Sequence, residues 1–116
     1  MALGGTAIEA RADYSSTVLA NRPVGYWRLN ETVQPPAADI ANNNGSLGAA
    51  ARGYYQGTVI HPMTGALAAG SDTAAIYDGV AGTATVVPYL KAMNPSSAFT
   101  IEAWLNPSVA YEVGSG

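Results

Sequence analysis

The 116-residue chain has no cysteine, and it has only one lysine, one histidine and one phenylalanine. Without cysteine there is no disulfide scaffold and no thiolate metal site, and the redox compartment stays open. One lysine beside four arginines, a formal net charge of −3 and a pI near 4.7 leave no basic patch, so nucleic acid is not an expected partner. No apolar run approaches the roughly 18 residues that suggest a membrane span, so membrane insertion is not expected. The opening MALGGTAIEARADY lacks both the cationic start and the apolar stretch of a secretory leader. Large aliphatics are scarce as well. The apolar fraction is 48%, but 22 of those residues are alanine, and Val, Ile, Leu and Phe together number only 22. Low net charge, two tryptophans and seven tyrosines nonetheless indicate one small folded domain. Its core is expected to be thin.

The strongest pattern present is AFTIEAWLNP, residues 98–107. Phe99, Ile101, Ala103 and Leu105 alternate with Thr100, Glu102 and Trp104, which predicts a central strand packed on the core. Turn signals flank it at Asn94-Pro95-Ser96-Ser97 and Asn106-Pro107.

The chain in order predicts further short elements. Residues 1–13 carry no core pattern and read as an N-terminal arm; Ile8 to Asp13 alternates in a way that could add a strand to a neighbour's edge. Asp13 is placed to cap a short helix over 14–19, stopped by Pro23, with Arg22 pushed toward an extended conformation. VGYWRLN, 24–30, reads as a strand with Trp27 and Leu29 on one face and Tyr26 and Arg28 on the other. Tyr26, Trp27 and Trp104 are expected in the core. Residues 31–52 form a long loop, of a length that is usually functional or disordered. GYYQGTVI, 53–60, reads as a strand and 61–72 as a second loop. Residues 73–77 and 83–87 read as a hairpin around Asp78-Gly79 and Gly82. Short strands with frequent turns and one short helix predict an all-β antiparallel β-sandwich or jelly roll. The hydrophobic content of five strands is too small for two full sheets, so the sandwich is expected to be incomplete.

ANRPVGYWRLNE at 20–31 resembles the start of a laminin G-like domain of the concanavalin A-like superfamily. Asp39 with Asn43, Asn44 and Gly45 resembles that family's Asp-Ser-Gly-Asn stretch, and GYYQG at 53–57 its GxYxG strand. TAAIYDG at 73–79 resembles its AxxFDG hairpin, and FTIEAWL at 99–105 its FTxEaW strand. The match covers residues 14–108, leaving 1–13 as the arm and 109–116 as the start of a continuation or linker. The resemblance implies a jelly roll of two curved antiparallel sheets. It covers only the N-terminal part of the family pattern, so an N-terminal fragment of a longer chain, or a sandwich completed by something else, is expected. Such modules occur in secreted bacterial proteins and in phage tail and fibre proteins. A virion or extracellular location is therefore expected, with other subunits of a larger assembly as partners and an oligomeric state.

No catalytic constellation is legible, and the chain is not expected to be an enzyme. His61 lies before Pro62 with no nucleophile-elbow serine. Glycoside hydrolysis needs paired carboxylates, but where related glucanases carry further acids this chain has Trp104 and Pro107, leaving Glu102 alone. Calcium, a hard oxygen-seeking ion, is held by many members of the family. Asp39, Asp72 and Asp78 are the metal candidates, no two of them close in sequence, and no cofactor is expected. Sugar recognition needs an aromatic face beside amides or carboxylates. Adjacent Tyr54 and Tyr55, of which only one can face the core, and Asn42, Asn43 and Asn44 are the candidate ligand-binding residues, with a cell-surface glycan as ligand. The expected function is non-catalytic recognition or attachment. The alternative is a purely structural sandwich that joins virion subunits, and a third is a glycosidase fragment.

Overall fold

The computed structural model describes residues 13–33, 35, 38–66 and 72–108; the arm before Asp13 and the tail 109–116 lie outside the described residues. The helix expected after Asp13 is present as α1, Tyr14–Ala20. Asp13 Oδ1 accepts from the Ser16 N–H at 2.7 Å, satisfying a donor that the first turn leaves open. Arg22 departs from expectation. It is left-handed, with φ +51°, and its N–H donates to the Leu19 carbonyl at 3.0 Å. Closing a helix end with a left-handed residue satisfies its last carbonyls, and that outweighs the extended bias set by Pro23.

Five strands form two antiparallel sheets among the described residues. β1 (Ile40–Ala41), β2 (Gly53–Gln56) and β5 (Ala84–Val86) make one, in the order β1-β2-β5, and β3 (Val59–Thr64) pairs with β4 (Thr73–Tyr77) in the other. Residues 53–60 are two strands rather than one. Gly57 turns the chain between β2 and β3 with φ +70°, and a β carbon there would stand 2.9 Å from Thr83 Cα, so the turn needs glycine. β3 continues through residues 61–64, read above as loop, because Val59 and His61 point inward while Ile60 points out.

The hairpin expected around Asp78-Gly79 does not form. β4 pairs with β3, and β5 pairs with β2. The turn residues behave as expected: Asp78 Oδ1 accepts from the Val80 N–H at 2.9 Å, and Gly79 and Gly82 take positive φ. The connection instead carries the chain from one sheet to the other. The six residues between the strands are long enough for this, and it sets Tyr77 and Thr85 facing each other, their hydroxyls 2.5 Å apart.

The core draws on strands of both sheets. Ala41, Tyr55 and Val59 are buried in it, with Trp27, Leu29, Ala75 and Tyr77 packed against them. It is as thin as the composition suggests. The expected strand over 24–30 is reduced to one bridge between Trp27 and Asn43, because Leu29 takes φ +55° and breaks the extended run. Trp27 keeps its core position and donates from Nε1 to the Ala51 carbonyl at 2.9 Å.

Residues 98–107 bring the largest correction. They form no strand, and Phe99 is 68% exposed, Ile101 82%, Trp104 64% and Leu105 86%. A strand needs a paired neighbour, and its apolar face needs a cover; the described residues supply neither. The other face of the segment is held against α1. Tyr14 Oη donates to Glu102 Oε1 at 2.6 Å, and the Tyr14 and Trp104 rings meet edge to face with centroids 5.7 Å apart. Trp104 therefore braces α1 instead of filling the core.

Candidate functional site

The five candidate recognition residues divide cleanly by face. β1 and β2 pair with Ile40 opposite Tyr54 and Ala41 opposite Gly53. Alternation then turns Ala41 and Asn43 inward and Ile40, Asn42 and Asn44 outward, and burial along 40–44 follows that pattern. On β2, Tyr54 is 37% exposed and Tyr55 only 5%. Tyr54, Asn42 and Asn44 are therefore brought to one outer face, and Tyr55 and Asn43 are carried into the core.

The two inward residues are structural pins. Asn43 Oδ1 accepts from the Tyr26 N–H at 2.7 Å and the Gly45 N–H at 2.8 Å, and its Nδ2 donates to the Val24 carbonyl at 3.3 Å. One side chain thus ties 23–27 to the loop entering 45–51. A β carbon at Gly45 would lie 2.7 Å from the Val24 carbonyl oxygen, so the approach that lets Asn43 reach both segments also requires glycine.

Tyr55 anchors a residue that the sequence did not single out. Its hydroxyl donates to Glu31 Oε2 at 2.5 Å, while Glu31 Oε1 accepts from Asn42 N–H at 2.7 Å and from Asn42 Nδ2 at 3.1 Å. Burial alone would raise the Glu31 pKa, but these hydrogen bonds outweigh it and hold the carboxyl below its ordinary value. Burial, and then the same bond to Glu31, push the Tyr55 phenol well above its ordinary value. Glu31 thereby ties Asn42 to Tyr55. Its partners lie 11 and 24 residues away, so no local pattern announces it.

The remaining candidates have structural partners. Arg28 Nη2 donates to Asp72 Oδ2 at 2.7 Å, and Asn30 Nδ2 donates to Asp72 Oδ1 at 2.8 Å. Burial opposes the Asp72 charge, yet the Arg28 and Asn30 bonds dominate and hold its pKa below the usual range. With side chains 28% and 25% exposed, the ion pair is screened and contributes roughly 1 kcal/mol or less. Asp78 sits in its turn, and the Asp39 carbonyl accepts from the Tyr55 N–H at 2.7 Å. Among the described residues no three His, Cys, Asp or Glu side chains gather as a metal site. His61 is buried in β3, its ring edge-on to Tyr55 with centroids 4.5 Å apart.

A cleft of about 470 Å³ separates α1 from residues 100–102. Tyr14, Asn21, Tyr26, Thr100 and Glu102 supply its polar groups, with Val18 and Pro23 as apolar wall. Its carboxylate is already engaged by the Tyr14 hydroxyl.

These features define a small antiparallel β domain with one short helix and an outer sheet face carrying one tyrosine and two asparagines. Comparison with protein-family models, with curated proteins and with solved structures finds no match.

Proposed function

We propose that the chain is a non-catalytic laminin G-like module of jelly-roll type, used for glycan or surface recognition within a larger assembly such as a phage tail or fibre. The observation that carries the reading is the common face of Tyr54, Asn42 and Asn44. A phenol ring 37% open to solvent offers a pyranose a stacking surface, and amides on the same face offer donors and acceptors for hydroxyls. Glu31 holds the Asn42 amide in place before any ligand arrives, which lowers the ordering cost of binding. The order of the family-like motifs along the chain and a core shared by two antiparallel sheets support the module assignment.

Tyr54→Ala should abolish retention on a glycan array while the domain still unfolds cooperatively, with a drop in stability of about 1 kcal/mol from the lost cross-strand contacts of the ring. Its loss should weaken binding about tenfold or more, equivalent to ~1.4 kcal/mol. Retention unchanged in this variant would overturn the reading. A second reading, a structural domain that joins subunits, is favoured by the exposed apolar side chains of 98–105.

A further inference from the structure

We infer that Asn44-Gly45 is the chain's site of spontaneous deamidation, and that the fold holds it shut by keeping the Gly45 N–H on Asn43 Oδ1. This goes beyond the recognition reading and depends on no ligand. The chemistry needs only water. The backbone nitrogen after an asparagine loses its proton and attacks the side-chain Cγ. A C–N bond forms, and the side-chain nitrogen leaves as ammonia, carrying that proton away. Water then opens the resulting succinimide at one of its two carbonyl–nitrogen bonds. One opening gives aspartate; the other gives isoaspartate, in which the main chain runs through the former side chain.

The sequence singles out one position for this reaction. Of the seven asparagines, only Asn44 precedes glycine. Asn94 and Asn106 precede proline, which has no N–H to lose. Asn21, Asn30, Asn42 and Asn43 precede residues whose β carbon crowds the attacking nitrogen. Gly45 has no β carbon, and an unfolded glycine turns freely into the cyclising geometry. Asn44 is also exposed, so burial does not keep water from it.

The backbone supplies the protection instead. The proton that must leave Gly45 is donated to Asn43 Oδ1 at 2.8 Å. On either side, the Asn44 N–H donates to the Tyr26 carbonyl at 2.8 Å and the Ser46 N–H to the Pro23 carbonyl at 2.9 Å. Turning the Gly45 nitrogen onto Asn44 Cγ breaks this run of bonds. Space is closed as well, because a β carbon at Gly45 would stand 2.7 Å from the Val24 carbonyl oxygen. Attack therefore requires a local opening of the turn. Isoaspartate adds one backbone atom between residues 44 and 45, and the close approach at Val24 leaves no room for it. A transient opening is thereby made permanent. The aspartate product puts a negative charge on the face that carries Tyr54 and Asn42.

Deamidation and base-catalysed amide exchange both begin with a deprotonated Gly45 nitrogen, so the two are measured together. The 116-residue chain is held at mildly alkaline pH, then digested, and mass spectrometry reads the replacement of –NH2 by –OH at Asn44. Folded wild type should convert at least about tenfold more slowly than the same chain unfolded in urea, and NMR should show the Gly45 amide protected from exchange by a similar factor. Asn43→Ala should convert at least about tenfold faster than wild type, since its turn opens locally. Lower stability is separated from lost protection by adding urea to wild type until its unfolding free energy equals the variant's. The variant should remain the faster of the two. Should Asn43→Ala fail to fold, exchange at Gly45 in wild type carries the test alone. Equal conversion of folded and unfolded wild type would overturn the proposal, as would an unprotected Gly45 amide. Equal rates at matched stability would do so too, because protection would then belong to the fold at large and not to Asn43.

Discussion

Asn43→Ala should destabilise the domain by about 3 kcal/mol, a drop on the order of 15 °C in melting temperature. The amide meets two backbone N–H groups and one carbonyl in a partly buried setting. Alanine leaves all three without that partner where water has little access, and unsatisfied buried groups cost far more than an average hydrogen bond contributes. The thin core has little reserve to absorb the loss. Asn44→Ala is the matched control. Its side chain points to solvent, and the change should stay within about 0.5 kcal/mol. Urea unfolding of both variants at low temperature would measure the difference even if Asn43→Ala is marginal at room temperature. Equal stability of the two variants would mean that the neighbouring inward position is not the pin described.

Tyr55→Phe should cost about 1.5 kcal/mol at neutral pH, the low end for a hydrogen bond to a charged group because Glu31 remains half-open to water. The cost should depend on pH in a defined direction. Glu31 has a folded pKa below its unfolded value, so its contribution is complete above the ordinary carboxylate range and is lost as pH falls through the lowered folded value. Tyr55 has a raised folded pKa, so its contribution is complete below the ordinary phenol value of 10.0 and fades as pH rises beyond it. Tyr77 adds to the alkaline loss, raised chiefly by burial against a lowering bond with Thr85. Wild type should therefore hold a stability plateau between these limits. The gap to Tyr55→Phe should narrow at the acid end, where Glu31 is protonated in both folded and unfolded chains. Stability curves that stay parallel through the acid limb would contradict the role given to Glu31.

Local chemistry made parts of the fold legible from sequence. Asp13 capped its helix, Gly79 and Gly82 turned where turn residues should, and the doublet at 54–55 had to split between a buried and an exposed ring. What sequence did not reveal was partnership. Residues 98–105 carry the best alternating pattern in the chain, yet alternation states only which side chains share a face. Whether that face is covered depends on other strands. The same gap explains β4 and β5, whose turn is correctly placed but whose pairing is decided by β3 and β2. In the candidate site, the amides and tyrosine were visible as residue types. Which of them face outward was set by the Ile40–Tyr54 register and by Glu31, whose bonds to Asn42 and Tyr55 span distances that no periodicity encodes.

The most direct test of the recognition face is amide NMR of the 116-residue chain, titrated with glucose, galactose, mannose and N-acetylglucosamine in turn. The account predicts that at least one of these sugars shifts resonances clustered at Asn42, Asn44, Tyr54 and their strand neighbours, and that Tyr54→Ala removes the shifts. Shifts confined to Tyr14, Asn21, Tyr26 and Thr100 would place binding in the cleft beside α1 instead, and no shift with any sugar would contradict the glycan reading itself.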